Sequence, residues 1–165
     1  MTRLFVSVEL PKELREKIYG ELSEKLWGLR VVAKENLHLT ICFIGEENEE
    51  TVSEKLSGIG FEKFKVRLKG IGKFGKNVVW LGAESEELKA LAEKVCGALG
   101  IEQEFSGHLT LARSSKKGNF FGCFDRIRGN ELDEEFEVKN FSLMKSTLTP
   151  AGPVYKVMGK FSALA

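Results

Sequence analysis

Two stretches of the chain repeat one order of elements, and this repetition limits the fold more than any other feature. In the first stretch, residues 3–10 alternate as a strand and Pro11 stands where a first helical turn accepts proline. Leu14, Ile18, Leu22 and Leu26 then recur every four residues, while Lys12, Glu13, Glu16, Lys17 and Glu24 take the other faces. That spacing predicts an amphipathic helix over roughly 12–27, ended by Gly28. Leu37 to Ile44 reads as a strand stopped by Gly45. In the second stretch, Val78 to Leu81 is β-prone, and Leu88, Leu91, Ala92, Val95 and Leu99 form a helical stripe. Residues 107–112 follow as another strand. Strand, helix, strand therefore occurs twice, the mark of a degenerate internal duplication.

Between the copies, Phe64, Val66 and Leu68 alternate with Lys63, Lys65, Arg67 and Lys69, a half-buried strand with one basic face. A short helix is expected over 49–57. Two further strands, 136–146 and 153–162, are joined through a turn at Thr149-Pro150-Ala151-Gly152-Pro153. No linker or low-complexity tract divides the 165 residues, so residues 1–165 are expected to form a single α+β domain with two pseudo-symmetric halves. With 25 basic and 24 acidic side chains, the net charge of +1 gives no bulk field for duplex binding, and any nucleic-acid contact must be local. Cys42, Cys96 and Cys123 are odd in number and far apart in sequence, neither a disulfide framework nor a zinc ribbon. This fits a reducing, cytoplasmic setting. Ser7 and Glu9 break the first apolar stretch, against a signal peptide, and no apolar run is long enough for a membrane span.

The only two histidines occupy nearly the same tetrapeptide, His38-Leu39-Thr40-Ile41 and His108-Leu109-Thr110-Leu111. On a strand, each histidine projects with its threonine while the apolar pair points the other way. One such motif alone is best read as a structural histidine beside a β-favouring threonine. Two, at equivalent points of a repeat, place paired imidazoles and hydroxyls across one cleft. Imidazoles titrate near neutrality, so one can serve as general base and the other as general acid. Hydroxyls can hold the non-bridging oxygens of a phosphodiester during in-line displacement. Such chemistry needs no metal.

On these residues the chain resembles the two-histidine phosphoesterase superfamily, specifically the bacterial and archaeal RNA 2',3'-cyclic phosphodiesterases, historically called 2'-5' RNA ligases. The resemblance extends over Arg3-Leu4-Phe5, Leu10-Pro11, Glu35 to Thr40, His108 to Arg113, and Ser146-x-Leu148-x-Pro150-x-Gly152-x-x-Tyr155. Ile41, where the first motif often has leucine, and a short segment before the final strands are departures. The resemblance implies a bilobal, pseudo-twofold fold in which two antiparallel sheets line a central cleft with helices outside. It further implies hydrolysis of RNA 2',3'-cyclic phosphate ends, tRNA fragments among them, to 2'-phosphomonoesters by a monomer without metal or cofactor. By motif, His38 would protonate the departing 3'-oxygen, His108 would activate water, and Thr40 and Thr110 would bind phosphate.

Arg113, five residues after His108, is a candidate for the phosphate or RNA backbone, with a surface ion pair as the other reading. Residues 113–128 mix Arg113, Lys116, Lys117, Arg126 and Arg128 with Phe120, Phe121 and Phe124, which suits single-stranded RNA or a solvated loop over packed rings. Phe5, Trp80 and Tyr155 are candidates for a nucleobase pocket, though aromatics in strands commonly pack. Three competing functions remain: end-joining through the reverse reaction, an RNA-binding module without turnover, and a metallohydrolase using His38, His108 and Cys42. The last depends on Cys42 sharing the His38 strand face.

Overall fold

The first repeat folds as β1 (Arg3–Glu9), α1 (Lys12–Leu22) with a 3-10 turn at Ser23–Leu26, a two-residue strand β2 (Arg30–Val31), and β3 (His38–Gly45). These come from a computed structural model that describes residues 3–165. Leu14, Ile18, Leu22 and Leu26 are all buried, so the stripe expected over 12–27 is a helix whose last turn tightens. Between the repeats lie α2 (Glu49–Ser57), at the expected position, and β4 (Phe64–Phe74). The second repeat is β5 (Val78–Glu84), α3 (Glu86–Ala98) and β6 (His108–Arg113). Ser85 caps α3, its hydroxyl accepting from the Leu88 amide at 3.1 Å. The chain closes with α4 (Phe120–Ile127), β7 (Asp133–Val138), β8 (Asn140–Thr149) and β9 (Gly152–Ser162).

All strand pairs are antiparallel, in the order β7-β4-β5-β6-β3-β1-β8-β9. The expected two sheets are the four-stranded sets on either side of the β6–β3 boundary, and they meet there through a single residue pair, Leu39 and Leu109. Each repeat contributes one of the two strands at this seam, as a duplication about a pseudo-twofold axis requires. Beyond the seam β3 and β6 diverge, and β2 pairs with the far end of β6 at Ala112 and Arg113. The helical stripes of α1 and α3 enter one continuous apolar core with the inward residues of the strands.

Two expectations along the C-terminal third are corrected. The run 136–146 is not one strand: β7 pairs with β4 in one half and β8 with β1 in the other, the chain crossing over at Lys139. Phe136 and Val138 are buried in the first sheet and Phe141 and Leu143 in the second, so the buried apolar positions change from even to odd across the polar Lys139-Asn140 pair. Residues 120–127 hold a helix, with Asn119 capping it and Phe120, Cys123 and Ile127 buried. The basic face of β4 is neutralised by β7. Arg67 makes two hydrogen bonds to the Asp133 carboxylate, at 2.8 and 2.6 Å, and Lys65 pairs with Glu135. The Arg67 guanidinium holds Asp133 below the usual carboxylate range.

Candidate active site

Histidines 38 and 108 are the first residues of β3 and β6, one position before the seam pair, so the fold brings both to the centre of the cleft. Their rings are oriented in the same way. His38 Nδ1 lies 2.5 Å from the carbonyl of Asn36, and His108 Nδ1 lies 2.7 Å from the carbonyl of Ser106, in each case two residues upstream. A carbonyl only accepts, so Nδ1 carries the hydrogen and Nε2 is left to exchange a proton. Thr40 stands beside the first imidazole, its Oγ1 2.9 Å from His38 Nε2. Thr110 projects from the corresponding position of β6 into the same cleft.

Aromatic rings support both imidazoles. Phe5 and Tyr155 lie with centroids 5.2 Å from His38, and Phe74 meets His108 edge-on at 4.9 Å. Trp80 sits farther behind His108, over Gly72, where any Cβ would collide with the indole. Burial among these groups holds His38 below the ordinary imidazole pKa. The Asn36 carbonyl and the charge of Glu9 oppose that shift, while His108 and Arg113 reinforce it.

A matched irregularity in each strand completes the site. The β1–β3 register passes from Val6–Cys42 to Ser7–Thr40, and the β5–β6 register from Val79–Ala112 to Trp80–Thr110. Each step inserts one residue, a β-bulge. Ile41 and Cys42 therefore both turn into the core, as do Leu111 and Ala112, and the next residue in each strand emerges on the histidine face. Those residues are Phe43 and Arg113, which both line the cleft. Strict alternation would instead put Cys42 on that face, and the metallohydrolase reading relied on it. The bulge overturns this: Cys42 is 1% exposed and its Sγ is 2.6 Å from Sγ of Cys96 on α3. Burial pushes the Cys42 thiol well above its usual pKa, so it stays protonated.

Phe43, 64% exposed, and the side chain that holds it escaped the sequence reading. Past the seam β3 has lost β6 as a partner, and the Gln103 amide takes that role. It accepts from the Phe43 N–H at 3.0 Å and donates to the Phe43 carbonyl. The only sequence signals were the repeated pair of apolar residues after each motif and the single glutamine of the chain. Arg30, Asn36 and Pro153 join the named residues in a cleft of about 840 Å³, room for a nucleotide-sized ligand.

A sequence model of the 2'-5' RNA ligase superfamily matches residues 9–149. The chain belongs to this superfamily. Among its relatives, the RNA 2',3'-cyclic phosphodiesterase of Archaeoglobus fulgidus is 37% identical, over 96% of this chain and 99% of that protein. The enzyme of the same name from Methanocaldococcus jannaschii is 38% identical, over 94% and 98%. The crystal structure of E. coli LigT complexed with 3'-AMP superposes with a TM-score of 0.82 at 25% identity, covering 99% of both chains. The superfamily's α+β architecture is thus the one expected from the duplicated motif.

Proposed function

We propose that the chain hydrolyses RNA 2',3'-cyclic phosphate ends to 2'-phosphomonoesters by acid–base catalysis between His38 and His108. The observation that carries this reading is that matching Nδ1–carbonyl contacts leave Nε2 of each histidine as the nitrogen that exchanges a proton, on strands that begin side by side. The names of the Archaeoglobus and Methanocaldococcus relatives support the same reaction class. In the reaction, His108 Nε2 takes a proton from water as its oxygen attacks phosphorus. The bond from phosphorus to the 3'-oxygen breaks in line, and protonated His38 gives its Nε2 proton to that oxygen. Thr40 and Thr110 hydroxyls donate to the non-bridging oxygens, and the Arg113 guanidinium offsets their charge.

The position of His38 in this scheme has a consequence for pH. In the empty cleft, burial keeps it mostly neutral at pH 7, with His108 and Arg113 acting in the same direction against Glu9 and the Asn36 carbonyl. The anionic cyclic phosphate supplies opposite charge and raises its pKa, so His38 takes up its proton with the substrate. The alkaline limb of kcat/KM reports the free protein and that of kcat the complex. We expect kcat/KM to begin falling at lower pH than kcat. Coincident limbs in steady-state profiles from about pH 5 to 8 would argue against this protonation order.

The reading is tested with a short RNA bearing a 2',3'-cyclic phosphate, incubated with chelator, the product isomer being resolved against 2'- and 3'-phosphate standards. Conversion to the 2'-phosphate supports it. A 3'-phosphate, or no conversion, overturns it. The superfamily's name gives end-joining a claim on the same cleft, and an added 5'-hydroxyl RNA in the same assay reads 2'-5' joined product directly.

A further inference from the structure

We propose that Trp27, held flat by Arg126, is a stacking platform for the nucleotides upstream of the cyclic phosphate, which makes single-stranded RNA rather than a mononucleotide the preferred substrate. This inference rests on the cyclic-phosphodiesterase reading above. Trp27 is 68% exposed, the most exposed aromatic side chain among the described residues. It is nevertheless firmly held. The Arg126 guanidinium covers the ring with its carbon 4.4 Å from the centroid, and Arg126 Nη2 donates to the Trp27 carbonyl at 3.1 Å. One face of the indole is thus occupied by a cation and the ring's orientation is fixed before any ligand arrives. A preorganised, exposed aromatic is the element that single-stranded nucleic acid recognises, because every base has a face to stack.

The platform is connected to the cleft. Gly28, at φ +92°, turns the chain from Trp27 into β2, and Gly118 packs so closely on the Gly28 carbonyl that a Cβ there would lie 1.9 Å from its oxygen. Three residues beyond Trp27, Arg30 lies opposite Arg113 in the β2–β6 pair. Directly opposed residues of an antiparallel pair share a face, and both arginines line the cleft. Three residues of extended chain span only about 10 Å, a separation that an RNA strand leaving the cleft crosses within a few nucleotides.

Charge favours the same occupant. Lys116 and Lys117 are exposed on the loop between β6 and α4, and among the described residues neither they nor Arg30, Arg113 and Arg126 form an ion pair with a carboxylate. The other basic surface, on β4, is paired with β7 acids. Uncompensated cations and a fixed aromatic therefore occur together on this rim, in a chain whose overall charge is only +1.

The experiment compares kcat/KM for a 2',3'-cyclic mononucleotide and for a ten-nucleotide single-stranded RNA with the same cyclic end, in the wild type, Trp27→Ala, Trp27→Phe and Arg126→Ala. Trp27→Ala is expected to raise KM for the RNA about tenfold, with kcat and the mononucleotide constants unchanged. Trp27→Phe should recover much of the loss, and Arg126→Ala should give an intermediate one. Equal constants for the RNA in wild type and Trp27→Ala would overturn the proposal, and so would an equal loss on both substrates, which would mark Trp27 as structural. A wild type inactive on both substrates would instead overturn the hydrolase reading on which it depends.

Discussion

Alanine at His38 or at His108 is expected to lower the rate of cyclic-phosphate hydrolysis by about 10²–10⁴-fold while the protein stays folded. Each substitution removes one proton carrier, and His38 and His108 are the only imidazoles of the chain. The double variant should lose far less than the product of the single losses, since an acid without its base already fails to complete the displacement. Thr40→Ala and Thr110→Ala, which remove a hydrogen-bond donor but no proton carrier, should cost less. Steady-state rates beside thermal unfolding curves separate catalysis from folding. Near-normal rates in both histidine variants would defeat the mechanism. Stability offers an independent check on His38. Its folded pKa lies below its unfolded one, so the unfolded chain binds more protons and the wild type loses stability as pH falls through the ordinary value near 6.5. That part of the pH dependence should be absent in His38→Ala.

The catalytic candidates were legible because duplication turned a weak local signal into a strong one. Neither His-x-Thr alone says much, but two at matching points of two strand–helix–strand units imply that both strands reach one axis, as β3 and β6 do. Helix positions were legible for a similar reason: the Leu14-Ile18-Leu22-Leu26 stripe has a single periodicity and a single buried face. What alternation could not reveal was each point at which it breaks. The bulges at Ile41–Cys42 and Leu111–Ala112 invert the faces that follow, sending Cys42 to the core and bringing Phe43 and Arg113 to the cleft. The crossover at Lys139 shows in the sequence only as a one-residue slip of the apolar phase across Lys139-Asn140, which does not say that the chain changes sheets. The clamp of Gln103 on Phe43 joins residues far apart in sequence, and only the folded chain brings them together.

Leu39→Ala and Leu109→Ala should each cost about 2–5 kcal/mol of stability, and each should also reduce activity although neither side chain faces the cleft. Both leucines are at most 1% exposed, so truncation leaves a cavity that the close-packed surroundings fill only in part. Their position makes the loss more than a matter of packing. Theirs is the one residue pairing through which the two four-stranded sets join, and the histidines are their immediate neighbours. Loosening the seam lets the two sheets shift against one another, which changes the separation of the imidazoles while leaving each properly seated on its own strand. A displacement of about 1 Å suffices to cost roughly two orders of magnitude in rate. Ile18→Ala, in the buried stripe of α1, serves as the control. It should destabilise to a similar degree but retain kcat/KM at temperatures where the protein remains folded. Because Leu39 and Leu109 face each other, their double variant should depart from additivity by about 0.5–3 kcal/mol in denaturant unfolding. Additive stability losses with unchanged kcat/KM would mean that the seam is ordinary core, and that the alignment of the histidines is set elsewhere, by the Asn36 and Ser106 carbonyls that hold their rings.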